Sequence, residues 1–79
     1  MKLRVYLTFD QNNVREPLIW KLGHEFEVVT NIRTAEVREN MGLVGLEIEG
    51  EPDVVEASVK WLEARGVHVG PIEQDVIEG

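Results

Sequence analysis

The chain contains no cysteine. That single absence removes disulfides, thiolate zinc sites, iron–sulfur ligation and cysteine nucleophiles together. Aromatic residues are scarce, at 6%, and no run approaches the ~18–20 continuous apolar residues that a membrane span requires. Basic residues are few as well: eight Lys and Arg stand against fifteen Asp and Glu, giving a net charge of −7. The basic residues are scattered, whereas nucleic-acid binding rests on clustered Lys and Arg, so a phosphate backbone is not an expected partner. The acidity reads as solubility.

Catalytic patterns are also missing. Ser58 is the only serine and lies within helical sequence, without the base and orienting group that a nucleophile needs. Neither GxGxxG nor GxxxxGK[ST] occurs, so no phosphate loop is expected. His24 and His68 are far apart and have no third ligand at metal spacing, so they read as surface or boundary histidines, and neither a metal nor another cofactor is expected. Glu47, Glu49 and Glu51 read as the wet face of a strand and its turn. The opening 1-MKLRVYLTFD-10 alternates charged and apolar residues where a signal peptide would be continuously apolar, which places the expected location in the cytoplasm. Seventy-nine residues make one domain with one small core, and without covalent staples a homodimer is the expected state.

What is present is periodicity. Leu3, Val5, Leu7 and Phe9 alternate with Arg4, Tyr6 and Thr8, the pattern of a half-buried strand, and 10-DQNN-13 breaks it. Pro17 suits a helix start, Leu18, Ile19 and Leu22 cluster on one side, and Gly23 stands where a C-terminal cap is expected. A second strand opens at Val28 and Val29 and runs into 31-NIRTAEVRENMG-42, with Gly42 as its turn. Val44, Leu46 and Ile48 alternate with Gly45, Glu47 and Glu49. Asp53 with Glu56 forms a candidate capping box before a helix over 54–65, where Val55, Val59 and Leu62 share a face that Ala57 and Trp61 widen. Gly66 ends it. Val67 and Val69 begin a last strand, and Pro71 marks that strand as an edge or its end. The tail 74–79 is acidic, with Val76 and Ile77 able to dock locally.

Strand, helix, strand, strand, helix, strand is the order of an α+β, ferredoxin-like βαββαβ domain: a four-stranded antiparallel sheet with two helices on one face. Acylphosphatases share this plan and hold phosphate in a glycine-bearing loop after the first strand. Here that loop is 10-DQNNVREP-17, which has Arg15 but no glycine, so an acylphosphatase-like enzyme is the weakest of the readings.

Thr8–Phe9 at the end of the first strand, the Pro17-led helix, Asn31–Ile32 in the second strand, 44-VGLEIEGE-51 and 61-WLEARGV-67 together resemble the NIL domain family over residues 3 to 73. Its best-known members lie at the C-terminus of the ATPase subunit of bacterial methionine importers, where they bind methionine and inhibit transport; others are attached to iron–sulfur ferredoxin modules. The resemblance implies a stand-alone, non-enzymatic regulatory domain that binds methionine or a related amino acid at a homodimer interface. It also implies a separate transporter ATPase or redox protein as partner. An adaptor that docks proteins without a small ligand is the second reading. Carried over by position, the motif asparagine is Asn31 and the apolar residue enclosing the ligand is Val37. The family's Asn-Ile-Leu triplet reads Asn31-Ile32-Arg33 here, and Arg33 can pair with a ligand carboxylate. Two-residue counting places Asn31, Arg33, Ala35 and Val37 on one face of the strand, provided that no bulge intervenes.

Overall fold

Alternation in the first strand produces the expected result. In β1 (Lys2–Phe9) every second side chain from Leu3 to Phe9 is buried. The computed structural model describes residues 1–74, with α1 (Leu18–Glu25), β2 (Val29–Val37), β3 (Gly42–Glu49), α2 (Pro52–Ala64) and β4 (His68–Gln74) following in chain order. The proposed docking of Val76 and Ile77 lies outside the described residues. All strand pairs are antiparallel in the order β2-β3-β1-β4, which makes β2 and β4 the two edges.

Leu3, Val5, Leu7 and Phe9 of β1 oppose Ile48, Leu46, Val44 and Gly42 of β3, so the two central strands share one apolar face. Leu18 and Leu22 of α1, with Val55, Val59 and Leu62 of α2, bury that face and complete the core. Removing this apolar surface from water is the main favourable term for a domain so small. Asn13 is a buried polar residue that ties the β1–α1 loop to the far helix: its Oδ1 accepts from the Asp10 amide at 2.8 Å and its Nδ2 donates to the Arg65 carbonyl at 3.4 Å.

Several local expectations are corrected. Gly23 does not cap α1, which continues to Glu25 and ends at Phe26; Pro17 stands at the N-cap. The second helix starts at Pro52 with Glu51 as N-cap and no side-chain capping bond, because proline's fixed φ and missing N–H suit the first helical position. Asp53 therefore falls in the first turn and forms no capping box. Ala57 is exposed, and Ser58 takes the buried position with its hydroxyl donating to the Val55 carbonyl at 2.7 Å. Gly42 begins β3, the turn being made by residues 38–41. The expectation for Pro71 holds: it lies within β4, an edge strand, after a cis Gly70–Pro71 bond.

Gly66 ends α2 as expected. At φ +84° it lets its own amide reach the Glu63 carbonyl and the Val67 amide reach that of Leu62, the paired bonds of a Schellman motif. Gly66→Ala should therefore lose about 1 kcal/mol in urea denaturation, the cost of a Cβ in the left-handed region. A neutral result would show that the turn relaxes to another geometry.

Candidate functional site

Edge strand β2 carries all three residues singled out from the sequence, and Asn31, Arg33 and Val37 are all exposed. They do not share a face. Asn31 registers with Glu47 and Ile32 with Leu46; the register then shifts, so that Thr34 meets Gly45 and Val37 meets Gly42. Arg33 is the extra residue of a β-bulge. Directly opposed residues of an antiparallel pair project to the same side, so Asn31 belongs with Glu47 on the open face and Val37 with Gly42 on the helix side. One inserted residue reverses the parity of everything after it, and this overturns the single-face placement. The helix-side residues Ile32, Ala35 and Val37 remain exposed all the same, because the helices leave this edge strand uncovered.

The open face has a polar row running across all four strands: Asn31, Glu47, Arg4 and Glu73 are successive cross-strand neighbours. Glu47 is not on a wet face, contrary to the alternation reading. It is only 3% exposed, and Arg4 Nη2 donates to its Oε2 at 2.8 Å. That hydrogen bond, more than any other influence, holds the Arg4 guanidinium above its ordinary pKa. A raised value means that the contribution is complete below the ordinary arginine pKa and is lost only as pH climbs past the higher folded one. Arg4 ionisation therefore adds no pH dependence near neutrality. Arg4 Nε is buried and finds no acceptor among the described residues.

Next to this row lies an open trough of about 450 Å³ whose floor is Gly45 and whose walls include Tyr6, Thr8, Thr34, Glu36 and Leu43. Tyr6 Oη reaches toward Glu73 Oε1 at 3.5 Å, and Glu36 pairs with Arg38 at 2.7 Å. On the opposite side of β2, Val37 borders an apolar groove of about 160 Å³ lined also by Phe9, Val14, Pro17, Ile19 and Trp20. Chemically, the open face offers an amide and a row of charges, and the groove offers hydrocarbon and indole. His24 and His68 are exposed, His24 stacking on Trp20 with centroids 3.8 Å apart. Among the described residues, no three His, Cys, Asp or Glu side chains come together as a metal site.

Sequence reasoning named neither Arg4 nor Trp20 as part of a site. Arg4 could have been found by aligning the outward residues of β1 and β3, where it falls opposite Glu47. Trp20 left a fainter signal, a large aromatic opposite the buried Leu18–Leu22 side of a short helix.

The sequence profile of the NIL domain family matches residues 3–70. Among solved structures, the C-terminal domain of an ABC transporter ATP-binding protein from Enterococcus faecalis superimposes with a TM-score of 0.76 at 19% identity, covering 95% of this chain and 86% of that one. Two de novo designed proteins share the architecture. Foldit4 gives a TM-score of 0.60 at 11% identity, over 95% of this chain and 97% of its own. Ferredog-Diesel gives 0.56 at 16% identity, over 94% and 85%. At such identities the likeness is one of fold. No curated protein sequence matches the chain.

Proposed function

Because the chain belongs to the NIL domain family, we propose that it is a non-catalytic regulatory domain binding methionine or a related amino acid where two copies meet along β2. The observation that carries this reading is the division of Asn31 and Val37 between opposite faces of an uncovered edge strand. One ligand touching both kinds of surface has to sit at the sheet edge, and a second copy brought to that edge supplies the missing half. Asn31 offers both a donor and acceptors to the α-groups of an amino acid, Arg33 a cation for its carboxylate, and Val37 methyl surface for its side chain. Binding and dimer geometry are then linked, so each changes the other by the same factor. The structural likeness to part of an ABC transporter protein supports a transporter ATPase as the receiver of the signal, with a redox protein as the other candidate, in the cytoplasm. Among the described residues no helix is long and apolar enough to cross a membrane.

Calorimetric titration with L-methionine, using D-methionine as control, tests the reading. Saturable binding that discriminates between the two is expected. Asn31→Ala should weaken it roughly tenfold by removing one or two hydrogen bonds from an exposed position, with the fold unchanged by circular dichroism. No heat and no thermal shift at millimolar ligand would instead leave a protein-docking adaptor.

A further inference from the structure

On the open face, Gly45 stands between Tyr6 of β1 and Thr34 of β2, and the next row reads Thr8, Leu43 and Glu36. Gly70 of β4 borders the same trough, so a residue without a side chain lies on each of the strands that flank Tyr6. Thr34 Oγ1 leans over Gly45, 2.6 Å from where a Cβ would stand. At about 450 Å³ the trough falls within the ~300–1,000 Å³ of sites that hold a whole small molecule. Charge decides which kind. Among the described residues lining it there is no Lys, Arg or His, and the one carboxylate is that of Glu36. The guanidinium groups of Arg4 and Arg38 are already engaged, Arg4 with Glu47 at 2.8 Å and Arg38 with Glu36 Oε1 at 2.7 Å. An anion finds no partner in this lining, and the chain's net charge of −7 favours cations.

We infer that this trough is a binding site for a small organic cation with a guanidinium head, an alkylguanidine. It uses neither Asn31 nor Val37 and stands apart from the amino-acid reading above. The flat guanidinium stacks on the Tyr6 ring, an aromatic face that attracts cations. Its N–H groups donate to the Thr8 and Thr34 hydroxyls and to the Glu36 carboxylate. The alkyl stem lies along Leu43, which is 43% exposed and outside the core. Glu36 can take this second donor because Arg38 uses only Oε1, and an ion pair between side chains 60% and 67% exposed is readily displaced. Arg38 is thus a rival for Glu36 within the chain. A compact ammonium offers neither the plane for Tyr6 nor the fork for Glu36, so the site prefers guanidinium over an amine of equal charge.

The test is titration of the isotope-labelled protein with agmatine, followed by backbone amide NMR shifts at constant ionic strength. Putrescine, the diamine of the same chain length and charge, is the control. Agmatine should bind saturably, move the amides of Tyr6, Thr34, Glu36 and Gly45, and bind roughly tenfold more tightly than putrescine. Glu36→Gln should lose roughly tenfold. Glu56→Gln, the same charge change at an exposed position on α2, should leave the affinity unchanged. Tyr6→Leu should lose about threefold or more, and Arg38→Gln should gain about threefold by removing the rival cation. Circular dichroism checks that each variant keeps the fold. Shifts that do not saturate, equal affinity for putrescine, or a loss in Glu56→Gln as large as in Glu36→Gln would each overturn the site. The binding would then be general attraction of cations to an acidic protein, and the amino-acid reading would be untouched.

Discussion

Arg4→Met is expected to lower the midpoint of thermal unfolding by roughly 10 °C or more. The two partners face the side of the sheet that no helix covers, where an ion pair is ordinarily solvent-screened and contributes little. Here Glu47 is 3% exposed and Arg4 is 24% exposed, and the two are direct cross-strand neighbours on the central strands. Methionine keeps much of the arginine stem's packing and removes the guanidinium. The nearly buried carboxylate then loses the cation that stands 2.8 Å from it. The double variant Arg4→Met/Glu47→Leu should recover most of the loss, because replacing a buried pair by apolar residues of similar size is often neutral or stabilising. Melts followed by circular dichroism decide the matter. A single variant within about 3 °C of wild type would show that water reaches the pair and screens it.

The same residue shows where sequence reading stops. Alternation in 43-LVGLEIE-49 places Glu47 on the outward side correctly, but alternation reports direction and not wetness. It is paired with Arg4, 43 residues away, a distance at which no local pattern acts. Element order was legible because β1 keeps a strict period of two, Val44, Leu46 and Ile48 of β3 alternate in sequence with Gly45, Glu47 and Glu49, and α2 keeps its i, i+3, i+4 stripe. Helix ends were less so. Asp53 and Gly23 are good capping residues, but Pro52 and the continuing contacts of α1 determined the boundaries. The bulge was the hardest feature to foresee. No glycine or proline marks 31-NIRTAEV-37, and a bulge at Arg33 is a backbone event whose consequence, the separation of Asn31 from Val37, appears only when register is followed across to β3. The candidate positions were thus legible one at a time, while the surface that each belongs to was not.

Gly45→Val is expected to destabilise the domain by about 2–3 kcal/mol, and Gly45→Ala by about 1 kcal/mol. Glycine inside a strand is ordinarily the weaker choice, costing roughly 0.5–1 kcal/mol relative to alanine. The sign is reversed here by the bulge, which brings Thr34 opposite Gly45: a Cβ at Gly45 would stand 2.6 Å from Thr34 Oγ1 and 3.4 Å from the Tyr6 ring on the other neighbouring strand. Thr34 can rotate to accept a methyl group but not the two branches of valine, which also press on Tyr6. Thr34→Ala should relieve Gly45→Ala, and urea denaturation of the four-member cycle should give a coupling of about 1 kcal/mol. If Gly45→Ala proves as stable as wild type in an otherwise unchanged background, the Thr34 hydroxyl is not held over the strand. The same variant separates the two faces of β2 by function. A methyl group at Gly45 fills the floor of the open-face trough and leaves the Val37–Trp20 groove untouched. Methionine affinity retained by folded Gly45→Ala assigns binding to the α1 side, whereas affinity lost with the trough would move the site to the open face and away from Val37.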